Sequence, residues 1–239
     1  MEKILVSLPV YNEGRLLKRA VNSILEQTYP NFDLVIVEDC STDNSLEEAR
    51  KFLYDPRVTV IGNPTNRGCF YSKNVGLKGV ETGEYDVYTT HDADDFSQPT
   101  RFEEAILAFR QDSNIMGVQD FEIRIGNPPP TWYNPPFTPM ANLAHAFFRA
   151  SAFKDMGYFD NTDFSGDEEY WHRLNAYCAK NGYYTNTLQK VLYYAEVTDD
   201  NMILRYDDTL RQRYREHFWQ ETAEMTNNNS FYKPFFEKP

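Results

Sequence analysis

The chain reads YDVYTTHDADD from residue 85 to residue 95, a run of mostly aromatic and β-branched residues that ends in a cluster of acidic residues. The run predicts a strand over residues 85–90, and the triplet Asp92-Ala93-Asp94 follows it after His91. Ligands of open α/β sheets bind beyond the carboxyl ends of the strands. The stretch therefore predicts a strand of a mainly parallel sheet, with two carboxylates placed where a ligand would lie.

The segments before this stretch alternate short apolar runs with amphipathic runs, which is the pattern of βαβ units. They predict strands at residues 4–8, 34–37 and 58–61 and helices at 14–27, from Asp43 or Ser45 to Leu53, and at 69–81. Asp39 follows the second predicted strand, as Asp92 follows the fourth. Because the carboxyl ends of parallel strands share one edge, we expect two acidic clusters in one crevice.

The segments after the stretch continue the α/β pattern to residue 224. They predict helices at 99–110, 167–180 and 205–224 and strands at 115–125, 143–148 and 183–195. Six prolines between residues 126 and 139 predict a loop. We interpret residues 1–97 and 98–226 as two halves of a single domain with helices flanking the sheet, and residues 227–239 as a loosely ordered tail.

The composition excludes several classes of protein. A net charge of −12 argues against a nucleic-acid partner, whose phosphates require Lys and Arg. No apolar run approaches the roughly 20 residues that span a bilayer. The short apolar run after Glu2 and Lys3 is interrupted too soon for us to expect a signal peptide. The three cysteines, Cys40, Cys69 and Cys178, lack metal-ligand spacing and predict free thiols. We therefore expect a cytoplasmic protein.

The carboxylates of Asp92 and Asp94 are hard oxygen ligands of the kind that suit Mg²⁺ or Mn²⁺. A cation held by them would grip a diphosphate and neutralise charge that grows on a departing nucleotide. Acidic triplets are also common as solvated turns, so this motif does not decide between the two interpretations by itself.

The motifs that surround the triplet occur in a fixed order along the chain. They are Pro9 to Glu13, Val37 to Ser45, Asn66-Arg67-Gly68 with Lys73-Asn74, Gly83-Glu84-Tyr85 and Asp92 to Asp95. Their order and spacing resemble the inverting glycosyltransferases of family 2, which have the GT-A fold. The resemblance covers about residues 3–175 and implies a GT-A-like α/β domain that binds a nucleotide sugar.

The resemblance also implies roles for individual residues on the donor side. Pro9, Tyr11 and Glu13 match the segment that contacts the nucleotide, and Asp39 matches an aspartate that accepts a hydrogen bond from uracil, which implies UDP. Asp92 and Asp94 match the motif for metal and diphosphate. The alternative roles are a strand-end turn for Tyr11 and helix capping for Asp39.

Several positions depart from the family pattern. Cys40 stands where the family usually has glycine, and Glu38 where it often has aspartate. Lys73 replaces a common arginine, which keeps a positive charge near the phosphates but loses the bidentate fork. His91 precedes the acidic triplet and either adds a ligand or makes a local hydrogen bond.

An acceptor hydroxyl needs a base to remove its proton during attack on the anomeric carbon. The segment from Phe164 to Arg173 resembles the family segment that carries this base, and Asp167 falls at the matching position. Gly166 replaces the glutamate of the family's Glu-Asp pair. Asp167 could instead cap the helix that it begins, so Glu168 and Glu169 are reserve candidates for the base.

Two further segments are candidates for contact with the acceptor. His145 and Arg149 resemble a family segment that borders the acceptor, although a structural role for His145 is equally consistent with its position. Trp132 and Tyr133 in the proline-rich loop either stack on a sugar or hold the loop in place. We expect Trp171 to pack in the core.

Taken with the resemblance, the residues predict a metal-dependent glycosyltransferase that moves a sugar from a UDP-sugar to an acceptor hydroxyl with inversion. One alternative is a sugar-phosphate nucleotidyltransferase, whose first loop is typically basic and rich in glycine, unlike Pro9 to Glu13. Another is a nucleotide-sugar-binding protein with a degenerate site. The presence of Asp39, Asp92, Asp94 and Asp167 argues against the latter.

Overall fold

A computed structural model describes residues 1–126, 139–197 and 208–235. In these residues nine strands form one sheet. The strands are β1 (Ile4–Val10), β2 (Phe32–Glu38), β3 (Val58–Gly62), β4 (Val87–Thr90), β5 (Phe96–Ser97), β6 (Ile115–Gly126), β7 (Met140–Ala141), β8 (Phe147–Arg149) and β9 (Tyr184–Val197).

The strands follow the order β3-β2-β1-β4-β8-β6-β9-β5, and β7 pairs with β6. The first four strands of this order are parallel, as are β6 and β9. Strand β8 is antiparallel to both of its neighbours, β4 and β6, and β5 is antiparallel to β9. The predicted α/β class and flanking helices are confirmed, and the sheet is mixed in its second half.

Seven α-helices lie in the described residues: α1 (Gly14–Leu25), α2 (Ser45–Arg50), α3 (Cys69–Leu77), α4 (Arg101–Gln111), α5 (Ala150–Met156), α6 (Gly166–Asn181) and α7 (Asp208–Asn228). The helix predicted over residues 69–81 becomes a 3₁₀ helix at Lys78–Thr82. Of the two predicted caps, Asp43 accepts the backbone N–H groups of Ser45 and of Gly14, so it holds the starts of both α2 and α1.

Alternate residues of β1 pack into two separate cores, because successive side chains of a strand point to opposite faces of a sheet. Ile4, Val6 and Leu8 join a core shared with α1 and α4. Leu5 faces the other core, which includes α5 and α6. Burial of both faces explains why β1 is apolar apart from the buried Ser7.

The strand predicted at residues 143–148 is wrong in its extent. Only Phe147–Arg149 forms a strand there, and it is followed by α5, which the sequence analysis did not predict. Helix α5 has only seven residues, too few to show a clear helical period. It ends at Gly157, whose φ of +68° an L-residue rarely adopts.

Residues 227–235, interpreted from the sequence as part of a loosely ordered tail, pack against the domain in the structure. Phe231 is 4% exposed and lies in the core beside α6. The Nζ atom of Lys233 lies 2.8 Å from a carboxylate oxygen of Glu221, 3.4 Å from Glu169 and 3.5 Å from Asp160. The buried ring of Phe231 and the ion pairs of Lys233 therefore hold this segment against the domain.

Candidate active site

The carboxyl end of β1 lies between two acidic loops. Asp39 follows β2 on one side, and its backbone N–H donates to the carbonyl of Val10 (2.9 Å). On the other side His91 precedes Asp92 at the end of β4, and its N–H donates to the carbonyl of Ser7 (3.0 Å). The predicted convergence of the two acidic clusters on one edge of the sheet is thus observed.

The Asp39 carboxylate is 3% exposed and accepts hydrogen bonds from three groups of one loop. Asn63 Nδ2 donates to Oδ1 (2.7 Å), the Gly68 N–H donates to Oδ2 (2.8 Å), and the Arg67 N–H contacts both oxygens (2.9 and 3.1 Å). These four N–H···O contacts, two on each oxygen, use about the four lone-pair sites that a carboxylate offers. Asp39 therefore organises the loop before α3 rather than capping a helix by its side chain.

Lys73 brings a buried positive charge to the opposite loop. Its Nζ atom lies 3.1 Å from Oδ1 of Asp92, and its side chain is 3% exposed. Helix α3 can place Lys73 there because Gly76 packs directly on Ser7 of β1, where an added Cβ would lie 2.1 Å from the Ser7 hydroxyl. Ser7 Oγ also donates to the carbonyl of Lys73 (2.9 Å).

Three neighbouring carboxylates crowd the loop after β4. Burial and the charges of Asp92 and Glu13 raise the pKa of Asp94 to about 7. Burial and the charges of Asp94 and Asp92 raise the pKa of Asp95 well above its ordinary value. Arg19 of α1 fixes the backbone here by donating to the carbonyl of Asp94 (2.5 Å). Crowded carboxylates disfavour one another's charged forms, and a cation between them removes this cost.

His145 faces the same carboxylates from the segment before β8. Its Nε2 atom lies 3.4 Å from Oδ2 of Asp92 and 3.6 Å from Oδ2 of Asp95. Burial, together with the positive charges of Lys73 and Arg101, lowers the pKa of His145 well below its ordinary value, so the ring is neutral. Carboxylate oxygens with a neutral imidazole form a donor set that fits Mn²⁺, and the carboxylates alone fit Mg²⁺.

His91 has a structural role in this arrangement. Its Nδ1 atom lies 2.9 Å from the carbonyl oxygen of Asp92, and Nε2 lies 3.0 Å from the hydroxyl of Ser97. Burial and the charge of Arg101 lower its pKa to about 3. Because both ring nitrogens have partners, His91 shapes the loop, and of the two alternatives the local hydrogen bond is the one observed.

The segment that carries His145 is held by a buried polar network. Arg101 is fully buried; its Nε donates to Asp120 (2.6 Å) and its Nη2 donates to the carbonyl of His145 (2.6 Å). Asn142 donates to Asp120 (3.0 Å) and accepts the N–H of His145 (3.2 Å). The sequence analysis missed this network, and a lone arginine at the start of an apolar helix was the only signal for it.

Asp167 lies in the first turn of α6, half-buried, and makes no hydrogen bond or ion pair within the described part of the chain. Burial alone would lower the pKa of Lys73, but Asp92 and, more weakly, Asp167 raise it above its ordinary value. The Asp167 carboxylate is therefore near the crevice. The reserve candidates have other partners: Glu168 accepts from Arg215 (2.9 Å), and buried Glu169 pairs with Arg173 (2.7 Å).

Gly166 is glycine because its neighbours leave no room for a side chain. An added Cβ would lie 2.9 Å from Cδ1 of Phe70 and 3.1 Å from the carbonyl oxygen of Asp160. The preceding residue, Ser165, has a φ of +55°. The tight start of α6 thus accounts for the departure from the Glu-Asp pair.

The model of glycosyl transferase family 2 matches residues 6–165, which is more than half of the chain. The chain belongs to glycosyl transferase family 2. It is 35% identical over 127 residues to the glycosyltransferase GlyG of Streptococcus pneumoniae, a match that covers 53% of this chain and 39% of GlyG. It is 37% identical over 109 residues to the putative colanic acid biosynthesis glycosyl transferase WcaA of Escherichia coli, covering 45% and 38%. The chain thus spans less than half the length of these relatives.

The chain is also similar in fold to two solved structures. Residues 1–349 of TarS of S. aureus in complex with UDP-GlcNAc are 20% identical to this family 2 chain, with a TM-score of 0.64, and the match covers 86% of this chain and 61% of that TarS fragment. The mannosyltransferase PcManGT of Pyrobaculum calidifontis, in complex with GDP-Man and Mn²⁺, is 21% identical with a TM-score of 0.61, covering 84% and 59%. These likenesses establish the GT-A fold.

The remaining predicted contacts of the family 2 chain fall in different places. Pro9 is buried in β1, while Tyr11 is 43% exposed in the loop that follows. Arg149 is not at the site, which corrects the prediction: it pairs with Val87 at the far end of β4 and donates to the carbonyls of Phe109 and Ile115. Trp132 and Tyr133 lie outside the described residues.

Family membership does not favour the nucleotidyltransferase alternative.

The three cysteines are free, as predicted. Trp171 is 8% exposed and packs in the core, as predicted. In residues 1–126, 139–197 and 208–235, no helix has both the length and the apolar character needed to span a bilayer.

Proposed function

We propose that this family 2 chain transfers a sugar from a UDP-sugar to an acceptor hydroxyl with inversion, assisted by Mn²⁺ or Mg²⁺. The observation that carries the proposal is the placement of Asp39, Asp92 and the Lys73 ammonium along the carboxyl edge of the parallel strands. This edge is where α/β folds bind nucleotides. Residues 1–97 supply the donor side and residues 98–226 the acceptor side.

The donor nucleotide lies against the loops after β1 and β2. The exposed ring of Tyr11 offers a face for the base, with Pro9 and Glu13 on either side of it in the chain. Asp39 follows β2 beside these loops, and its carboxylate is an acceptor of the kind that the ring N–H of uracil requires. The likeness to TarS, solved with UDP and with UDP-GlcNAc, supports UDP as the nucleotide.

The diphosphate and its cation lie beside Asp92 and Asp94. When bound, a divalent cation supplies positive charge that offsets the negative charge developing on the diphosphate. Lys73 keeps the Asp92 carboxylate in position through its ion pair, and it adds a buried positive charge to the same region. The likeness to PcManGT, solved with Mn²⁺, supports this arrangement.

Asp167 removes the proton of the acceptor hydroxyl as its oxygen attacks the anomeric carbon from the face opposite the diphosphate. The new C–O bond forms as the bond to the diphosphate oxygen breaks, and UDP leaves with that electron pair. Asp167 is suited to this role because, unlike Glu168 and Glu169, it has no ion-pair partner in the described chain. The free thiols are consistent with a cytoplasmic location of the protein.

The proposal is tested by comparing Asp167→Asn with Glu168→Gln. We expect Asp167→Asn to abolish release of UDP from UDP-sugars in the presence of Mn²⁺ and an acceptor extract, and to leave the affinity for UDP within about twofold. Glu168→Gln, the neighbouring matched control, should keep most of the activity. Full activity of Asp167→Asn would refute the assignment of the base.

The donor class is tested by thermal-shift measurements with UDP, GDP and their sugars, with and without Mn²⁺. A ligand that binds only the folded state raises the apparent stability. We expect stabilisation by UDP compounds that depends on the metal. A stronger shift with GDP compounds would overturn the UDP assignment, and release of pyrophosphate instead of UDP would overturn the transfer reaction.

A further inference from the structure

We propose that His145 and Asp95 complete the cation site of Asp92, so that the ion is held by an imidazole nitrogen as well as by carboxylate oxygens. The inference rests on the proposed function, because it concerns the cation of the same donor site. The converging group shares Asp92 with the pair expected from the sequence, and it contains Asp95 and His145 in place of Asp94.

The convergence of three ligand atoms carries the proposal. In the described part of the chain, one ligand atom each of Asp92, Asp95 and His145 lies within 4.8 Å of the other two. The contacts of Nε2 with the two carboxylates, 3.4 and 3.6 Å, are longer than the roughly 2.7–3.2 Å of an N–H···O hydrogen bond. Neighbouring ligands of an ion with bonds of about 2.1 Å lie roughly 3 Å apart, so the three atoms would move closer together when they share one ion.

The other atoms of these side chains leave the converging atoms available. Oδ1 of Asp95 accepts the backbone N–H of Glu196 (2.8 Å), so Oδ2 is the oxygen that faces the cluster. The His145 ring lies against Tyr193, with 4.3 Å between ring centroids. Its side chain is 3% exposed, and within residues 1–126, 139–197 and 208–235 no hydrogen bond to its Nε2 atom is formed. The ring is therefore a buried nitrogen donor directed at two carboxylates.

The backbone around His145 is rigid enough to present this ring. The fully buried Arg101 holds the His145 carbonyl and is itself paired with Asp120. Asn142 accepts the His145 N–H and bonds to the same Asp120. A ligating histidine normally donates its other ring N–H to a partner. In the described residues Nδ1 of His145 has no such partner, and the ring is positioned through its main chain instead.

A nitrogen ligand has a chemical consequence for the choice of ion. Imidazole suits transition metals, whereas Mg²⁺ prefers an all-oxygen shell. A site that includes His145 should therefore bind Mn²⁺ more tightly than Mg²⁺. Loss of the imidazole should reduce the difference between the affinities for Mn²⁺ and Mg²⁺, because it removes the ligand that favours Mn²⁺.

The test is pulsed electron paramagnetic resonance of Mn²⁺ bound to the full chain in the presence of UDP, which detects coupling to a coordinated ¹⁴N nucleus. We expect nitrogen coupling in the wild type and its loss in His145→Gln. His172→Gln is the matched control, because His172 is an exposed histidine on α6 that should leave the coupling unchanged. Titration should show Mn²⁺ affinity reduced about tenfold or more in His145→Gln, with a smaller change for Mg²⁺.

Asp95→Asn provides a second variant in case His145→Gln does not fold. It should weaken Mn²⁺ binding and keep the nitrogen coupling. Bound Mn²⁺ without nitrogen coupling in the wild type, or coupling retained in His145→Gln, would overturn this inference and leave the proposed function standing. Failure of the wild type to bind Mn²⁺ with UDP would overturn both this inference and the metal dependence.

Discussion

The Nζ atom of Lys73, on α3, lies 3.1 Å from Oδ1 of Asp92, at the end of β4, and the lysine side chain is 3% exposed. This ion pair joins a helix of one core layer to the acidic loop on the edge of the sheet. The Asp92 side chain keeps 33% of its surface exposed toward the crevice. One oxygen of the carboxylate is thus held by the protein while the residue remains accessible to a ligand.

Replacement of Lys73 by methionine should destabilise the protein by about 2 kcal/mol, because it leaves Asp92 without its buried partner. The value is below the roughly 3–5 kcal/mol of a fully buried pair since Asp92 is partly solvated. Denaturant unfolding measures the loss, and UDP affinity should fall with it. Lys73→Arg, which restores the charge, should recover much of both; equal defects in the two variants would contradict the explanation by charge.

Asp39→Asn should loosen the loop before α3. The amide offers one oxygen where the carboxylate offers two, so at least one of the N–H donors from Asn63, Arg67 and Gly68 loses its acceptor. We expect a loss of stability of about 1–3 kcal/mol and weaker binding of UDP, measured by unfolding and calorimetry. Asn63→Ala removes one donor and spares the carboxylate, so a larger loss of UDP affinity in Asn63→Ala would contradict this account.

Gly166→Ala should destabilise the protein by about 1–3 kcal/mol, because the new Cβ collides with the ring of Phe70. The collision also displaces Asp167, so transfer activity should fall more than UDP affinity. In the double variant Phe70→Leu/Gly166→Ala the smaller side chain relieves the collision, and the stability cost of the alanine should shrink. Simple additivity of the two substitutions would show that the Phe70 contact is not the cause.

Lys233→Met should release the segment after α7. Its ammonium is shared by Glu221, Glu169 and Asp160, and its side chain is 11% exposed, so its removal should cost about 3 kcal/mol. Limited proteolysis should then cut the segment near Phe231 faster. Lys190→Met is the control, since its pair with Glu104 leaves the lysine 53% exposed and should contribute less than about 1 kcal/mol.

Metal-free protein should lose stability as the pH rises from about 4 to 7, in part through Asp94. The pKa of Asp94 rises from 3.8 to about 7 on folding, so the folded state binds more protons in this window and stability falls toward higher pH. Asp94→Asn should therefore be more stable than the wild type above pH 7 and equal to it near pH 4. Thermal unfolding in a chelator measures both, and added Mn²⁺ should stabilise the wild type more than the variant. A stability difference between Asp94→Asn and the wild type that grows toward low pH would contradict the predicted direction of the pH dependence.

The sequence alone predicted the part of the fold that depends on local pattern. Neighbouring residues are enough to predict β1, β2 and α1. A strand that is buried on both faces is a short apolar run, and a helix that is buried on one face has apolar residues at helical spacing. The acidic residues at strand ends, Asp39 and Asp92, followed from the same pattern. Parallel strands of one sheet must end on a common edge, so their convergence needed no long-range information.

Tertiary structure alone decided which distant groups meet. His145 and Asp95 lie 50 positions apart in the sequence, and they meet because β8 enters the sheet antiparallel beside β4. The position of Lys73 beside Asp92 depends on the close approach of Gly76 to Ser7. The burial of Phe231 depends on a core formed by other helices. Such contacts leave no period in the chain, because they are fixed by packing between segments that the sequence does not place side by side.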